Sequence, residues 1–438
     1  MSLKINEKIS VGRASALLAG LIFLSRVMGF ARTQMTSYFY GTGPQADAFN
    51  AAFAIPELIS IVIAGGALAT GFVPTFSAFL AQNEHEKAKK TFASLLSILF
   101  LAVGFLTLVL VGLTFTPLVN WLAPEPQTTL IYAENLRLLL LAQAFFILGG
   151  VFTGAFNSLR HFWLPALQPV FFNLGILAFG LFGALGEKGI IWQSYGAIFG
   201  ALVGSVALQI PFALRAGLPV KFRLDFADEG VQKVLRSLLP VFFGLASGRI
   251  LALSLPVALA ADSTVLTNAT RLSSLPLELI ASGSAIAIFP TLSLLGAQGK
   301  LGEVRAQLWA VLRRVMKLIL IATAGLIVLA FPLVRILFQY GQFSASDATF
   351  TAQILMLASL CLPGLAAQQL LARGFFALGD TKTPAIAGAI SMALFGVLCA
   401  IFWSMGTFGV TLASVVSVSV LALLLWRGLS RKLPQNSA

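Results

Sequence analysis

Four arginines, Arg26, Arg32, Arg249 and Arg271, stand inside stretches otherwise apolar enough to cross a membrane, the first two in "FLSRVMGFART" at 23–33. A guanidinium grips phosphate or carboxylate with a planar fork of donors and stays charged at any working pH. At the centre of a membrane helix each costs about 2.5–3.5 kcal/mol, so four together cost about 10–14 kcal/mol before compensation. Arg26 lies about 11 residues, or ~16 Å, into its span, too deep for easy snorkelling to the headgroups. Glu57 and Glu278 also fall within spans and Asp47 starts one. Three carboxylates cannot neutralise four guanidiniums, so these residue types favour an anionic ligand; snorkelling and acid pairing remain the alternatives. Arg26 and Arg32 point roughly 240° apart on an ideal helix and share a cavity only where the helix bends, which Gly29 between them permits.

The elements that must carry these residues are set by composition. The chain has 438 residues, 58% hydrophobic and 10% charged, with mean hydropathy +0.92. That is too apolar for a water-soluble domain and predicts an all-α polytopic membrane protein. The formal charge of +13 comes from basic residues scattered between apolar spans, not gathered into a tail or patch, which excludes nucleic acid as a partner. The apolar run 14–24 is expected to be retained as a helix, not cleaved as a signal peptide. Cys361 and Cys399 lie in apolar spans and read as packing residues.

A bilayer core about 30 Å thick needs about 20 apolar residues per helix. Twelve spans are predicted, near 14–40, 46–80, 92–119, 133–158, 162–184, 190–214, 237–260, 265–295, 308–335, 348–378, 383–404 and 407–427. Of the 29 basic residues, 22 fall before span one, after even-numbered spans or at the C-terminal end; only Arg137, Lys188 and Arg335 fall on the opposite side. The excess marks the cytoplasm, so both termini are expected there.

"IPELISIVIAGGALATGFVPTFSAF" (55–79) returns in weakened form as "LPLELIASGSAIAIFPTLSLL" (275–295), and "GAFNSLRHFWLPA" (154–166) as "GFFALGDTKTPA" (374–385). Two parallel six-helix repeats are therefore predicted: a lobe over 1–214, a linker over 215–236 and a second lobe over 237–438, an architecture used by transporters. Pro56, Gly65 and Gly66 in span two and Gly283 in span eight are candidate hinge residues beside Gly29, or else tight packing positions. Asn50, Asn157, Asn173 and Asn268 can line a wet cavity or bond across helices. His85 and His161 fall in loops, and no phosphate loop, nucleophile elbow or metal-ligand spacing is present, so neither an enzyme nor a metal or organic cofactor is expected.

"SRVMGFART", then "FYGTGPQADAFNAAFAIPELI" and "AGGALATGFVPTFSAF", resemble the MurJ/MviN family of lipid II flippases, whose pattern is close to SRxLGFxRD, fG-G--aDAFfvAFriPNllR and aEGAfsqaFvPv. "ATRLSSLPLELIASGSAIAIFPTLS", "LFQYGQF" and "GDTKTP" follow in the family's order. The resemblance implies a MATE-like fold, two six-helix lobes around a cationic cavity, in the bacterial cytoplasmic (inner) membrane. It implies a polyprenyl-diphosphate-linked peptidoglycan precursor as cargo and membrane lipids and cell-wall synthesis proteins as partners. By motif position Arg26, Arg32 and Arg271 match cavity arginines for the diphosphate and headgroup; Asp47 matches the acid of the DAF motif, and Asn50 and Arg249 complete the candidate substrate site. Glu57 and Glu278 are candidate coupling sites for sodium or protons, with the membrane potential as the other drive. The chain departs from the family at Thr33, Glu57, Ser60, Gly65, Thr270 and Ser274, and the two further helices that form the family's lipid-tail groove are expected to be absent. A flippase for another polyprenyl-linked saccharide, a MATE-like cation-coupled exporter and a scaffold for cell-wall enzymes are the rival readings.

Overall fold

A computed structural model describes residues 11–62, 71–122, 128–159, 161–241 and 262–433, and every regular element among them is helical. Hydrocarbon offers no hydrogen bonds, so a spanning segment must satisfy its backbone internally, which a helix does. Eight helical segments among the described residues are long and apolar enough to cross: His85–Leu113, Thr129–Ser158, Trp163–Leu185, Ile191–Arg215, Ser263–Gly296, Ala345–Ala377, Lys382–Ile401 and Trp403–Lys432. These match expected spans three to six, eight and ten to twelve. The ninth expected span, 308–335, is not one straight crossing: Leu301–Val328 and Ala330–Phe338 meet at a 68° bend. The cause is Pro332, which has no N–H to offer the carbonyl of Val328 and crowds it with its ring. Expected span one is the 30-residue helix α1 (Val11–Tyr40), and span two holds α2 (Pro44–Val62) and α3 (Val73–Ala81). Gly65 and Gly66, most of span seven and Arg249 within it lie outside the described residues.

The chain divides into two compact units, Met1–Leu238 and Leu239–Ala438. In the first, α4 (His85–Leu113), a short α5 (Val119–Leu122), α6 (Thr129–Ser158), α7 (Trp163–Leu185), α8 (Ile191–Leu202), α9 (Gln209–Arg215) and α10 (Glu229–Val241) follow α3. Residues Val203–Ala207 join α8 to α9 through a wide π-helical turn. Small residues let α7 and α8 touch backbone to backbone. A Cβ on Gly175 would stand 2.3 Å from the Gly196 carbonyl oxygen and one on Gly196 2.2 Å from that of Gly175, so neither position admits a side chain. Phe72, Phe76, Phe92, Phe152 and Phe156 build one buried cluster around α3, α4 and α6, and Ala46, Phe49 and Ala52 of α2 pack with Tyr132, Leu136 and Leu139 of α6 in another. Residues 215–236 are sewn onto the first unit: Thr91 donates to Asp228 Oδ1 at 2.7 Å, and the same oxygen accepts the Val231 amide at 3.0 Å, capping α10.

The second unit runs through α11 (Ser263–Pro276), a π-helical turn Leu277–Ser282, α12 (Gly283–Ala297), α13 (Leu301–Val328), α14 (Ala330–Phe338), α15 (Ala345–Ser359), α16 (Cys361–Ala377), α17 (Lys382–Ile401) and α18 (Gly406–Lys432). Leu277, Leu292, Leu308, Leu370, Phe375, Leu421 and Leu425 share one core that also encloses Cys361 and Cys399. The "GDTKTP" turn between α16 and α17 is a latch. Asp380 accepts the Thr383 amide (3.0 Å) and hydroxyl (2.6 Å) and pairs with Lys432 at the end of α18. Arg305 of α13 holds the Leu433 carbonyl at 3.1 Å, so the last helix is fastened at two points.

Partial burial raises the Asp380 pKa, but Lys432 and the two Thr383 bonds outweigh it and hold the pKa below the ordinary aspartate value. The latch is therefore complete above the unfolded aspartate range and is lost as pH falls through the depressed folded value. Asp380→Ala is expected to cost about 1–2 kcal/mol of stability at neutral pH. In a thermal-unfolding series from neutral to acidic pH, its deficit against the parent should shrink as the carboxylate protonates.

Candidate functional site

Helix α1 positions Arg26 and Arg32 and is continuous through Gly29. Gly29 lies beside α7: a Cβ there would sit 3.5 Å from Asn173 Nδ2, and that amide donates to the Ser25 carbonyl at 3.3 Å and to Pro169 at 3.0 Å. The two arginines accordingly stand in different surroundings. Arg26 is exposed, whereas Arg32 is only 8% exposed.

The Arg32 guanidinium sits over the Phe53 ring of α2, 5.1 Å from its centroid. Phe53 is held edge-on by Phe49 (5.3 Å) and by Phe172 of α7 (6.3 Å), which in turn meets Phe146 of α6 at 5.5 Å. Three helices thus supply an aromatic seat under one cation. Such a contact contributes about 2 kcal/mol when desolvated. One turn along α1, the Thr36 hydroxyl lies 2.9 Å from Gln193 Oε1 and 3.0 Å from the Arg32 carbonyl oxygen, tying α1 to α8. Gln193 is fully buried, and its Nε2 has no hydrogen-bond partner among the described residues. Phe53, Phe172, Thr36 and Gln193 are absent from the sequence-derived site. Only the four-residue spacing of Phe49 and Phe53, which puts both rings on one helix face, hinted at the seat.

On α2, Asp47 occupies the first turn, where the helix dipole favours a carboxylate. Asn50 is half-buried and donates to Ala46 of its own helix at 3.0 Å; Glu57 is exposed. Pro56 is buried and leaves the Ala52 carbonyl without its in-helix donor, yet α2 continues to Val62. In the second unit Arg271 is half-buried on α11. Thr270 and Ser274 return their hydroxyls to carbonyls of the same helix, at 2.7 Å to Leu266 and 3.0 Å to Arg271. Pro276 then disturbs the ladder, and the following π-helical turn carries Glu278, while Ser282 donates to Gln369 of α16 at 3.0 Å. A Cβ on Gly283 would meet nothing within 4 Å, so packing does not explain that glycine. Residues 71 and 72 form another wide turn, so both echoing stretches contain such an irregularity. Among the described residues no three His, Cys, Asp or Glu side chains are grouped to hold a metal.

The whole fold resembles a solved inward-facing "multidrug resistance MATE family transporter of the MOP superfamily" (TM-score 0.77, 15% identity, 95% of this chain and 98% of that one). Arginines carried within the spans of such a fold define the class: a polytopic membrane protein with a MATE-like architecture. A solved "Lipid II flippase MurJ, inward closed conformation" is similar at TM-score 0.79 with 22% identity, over 95% of this chain and 87% of that one. The "Probable lipid II flippase MurJ" of Rhizobium meliloti (strain 1021) is 29% identical over 439 residues, 96% of this chain and 82% of the relative. The family described as "Lipid II flippase MurJ" matches residues 35–438, and the chain belongs to it.

Thr36→Val removes the donor to a fully buried Gln193 and is expected to lower stability by about 1–3 kcal/mol. Thr36→Ser, which keeps the hydroxyl, should unfold within a degree or two of the parent by about the same midpoint in detergent. Equal losses in the two variants would reduce the contact to methyl packing.

Proposed function

We propose that this chain is a lipid II flippase: it captures a polyprenyl-diphosphate-linked peptidoglycan precursor at the inner face of the bacterial cytoplasmic membrane and releases it at the outer face. It is a transporter and not an enzyme. The observation that carries the reading is Arg32, buried in α1 on an aromatic seat, in a chain of this family. The polyprenyl tail stays in lipid while Arg26, Arg32 and Arg271, with Arg249, bind the diphosphate. Bidentate guanidinium contacts suit phosphate oxygens, and desolvating both partners together offsets the cost of each. Asp47 and Asn50 bear on the headgroup or on the orientation of the α2 terminus.

The mechanism is alternating access, in which the bound diphosphate is exposed first to one face and then to the other. The wide turns at residues 71–72 and at Leu277–Ser282 are the points where span two and span eight deform most cheaply. Glu278 within the second turn, and Glu57, are the candidate sodium or proton sites. The membrane potential, about 2.3 kcal/mol per charge per 100 mV, is the alternative drive. Both termini face the cytoplasm, and cell-wall synthesis proteins are the candidate partners. One observation favours cargo with a different saccharide: Thr270 and Ser274, which stand where the family has acids, bond to their own helix.

Complementation of a strain depleted of its own lipid II flippase tests the proposal. The parent chain should restore growth. Arg32→Glu or Arg271→Glu should abolish rescue at equal membrane abundance, and Arg32→Lys should lower flipping by about 10–100-fold, the loss of one charge-assisted bidentate contact. Rescue by the charge-reversed chains would exclude the diphosphate reading, and failure of a well-expressed parent would favour the other saccharide.

A further inference from the structure

The strap that follows span six is folded inside out. Residues 218–225 have no regular secondary structure and connect the end of α9 to the turn before α10. Leu218 is buried among Phe92, Val231 and Val234, as an apolar residue in such a strap should be. Past Val220 the alternation reverses. The Arg223 amide donates to Ser97 Oγ of α4 at 2.9 Å, and the Arg223 side chain pairs with Asp225 at 2.9 Å. These contacts turn the charged residues toward the protein. Phe222, Leu224 and Phe226, on the other edge of the strap, are left 66%, 47% and 60% exposed. At alternate positions in the sequence they make one row of exposed apolar side chains.

What covers this row follows from its place and its charge. Arg215 is the last residue of the span Ile191–Arg215, so the strap starts at the boundary between hydrocarbon and water. The acids of the segment are engaged: Asp225 with Arg223, Asp228 with Thr91, Glu229 with Lys233. Arg215, Lys221 and Arg236 are exposed and have no carboxylate partner among the described residues. Aromatic and aliphatic side chains in a row, flanked by unopposed cations, match the boundary of an anionic leaflet, where the rings enter the acyl region and the cations meet phosphate. A protein partner of that row would have to enter the headgroup zone to reach it.

We propose that residues 221–226 are an interfacial anchor that inserts Phe222, Leu224 and Phe226 into the leaflet bordering the strap, with Lys221 and Arg236 selecting anionic phospholipid. The proposal concerns the strap alone and stands whatever cargo the transporter moves. The test uses the full chain with Leu224→Cys, carrying an environment-sensitive NBD label, in nanodiscs holding a single copy. The native Cys361 and Cys399 are buried, and labelling of the parent chain gives the background. Phe226→Cys serves as an independent reporter on the same row. Discs of phosphatidylcholine alone are compared with discs that also contain phosphatidylglycerol.

The expected result is blue-shifted emission that spin-labelled lipid quenches several-fold more than aqueous iodide does. The shift should be stronger in the anionic discs, and Lys221→Glu with Arg236→Glu should remove that difference. Water-like emission with free iodide quenching at both positions would overturn the proposal. So would a blue shift that arises only when discs hold two copies or when soluble protein is added, because the row would then be an interface between proteins.

Discussion

A guanidinium inside a bilayer must be given something other than water to face. Arg32 faces an aromatic ring, and much of the first unit's local construction serves that placement. Phe53 can sit under the cation only because Phe49, Phe172 and Phe146 hold it from three helices. α1 packs closely on α7: a Cβ on Gly180 would meet the Met35 methyl at 2.4 Å, and Asn173 of α7 donates to the Ser25 carbonyl. α7 in turn stands against α8 through glycines that leave no room for a Cβ. Small residues, aromatic rings and one buried charge form a single chain of dependence, each link satisfying a cost that lipid cannot relieve.

The same scarcity of hydrogen bonds explains the treatment of the many hydroxyls. Thr33, Thr270, Ser274, Ser284, Thr323 and Ser359 each donate to a carbonyl three or four residues back in their own helix. That is the cheapest partner within reach in hydrocarbon, and it loosens the helix slightly where it occurs. Prolines do the opposite and remove a donor. Where Pro276 does so, the next turn widens to a π-helical pitch and takes in Glu278 and Ser282; where Pro332 does so, the helix ends and restarts at 68°. Irregular backbone therefore falls where the residues dictate it, and in span eight it falls beside the charged and polar groups of the candidate site.

Eight of the twelve expected crossings coincide with described helices long and apolar enough to cross, because a run of some twenty apolar residues has no other stable form in a bilayer. The arginines within the spans, buried Arg32 among them, are legible for the same reason: a charge in such a run is conspicuous. Long-range partners were not. Thr36 meets Gln193 across 157 positions and Arg223 meets Ser97 across 126, and neither residue type announces its partner. The bend at Pro332 was written in the sequence but hidden by the hydropathy of its neighbours. Gly29, midway between two arginines, suggests a hinge in the sequence, and its neighbour Asn173, 144 positions on, is not announced there. The strap misleads by its period. Alternation in "KFRLDF" suggests an apolar face turned inward, and only Ser97, far off in the chain, reverses it.

An aromatic seat and a carboxylate partner both lower the cost of a buried guanidinium, but they leave different sites behind. A carboxylate cancels the charge and occupies the N–H fork; a ring face offsets part of the desolvation and leaves net positive charge with its donors in the guanidinium plane. The first arrangement stabilises a fold, whereas the second keeps a field that an arriving anion completes. With a low dielectric around it, that field is far stronger than the same charge would produce at a wet surface. In α1 the Arg32 guanidinium has such a ring face beside it, supplied by Phe53 of α2, and the rings of α6 and α7 hold that face in place.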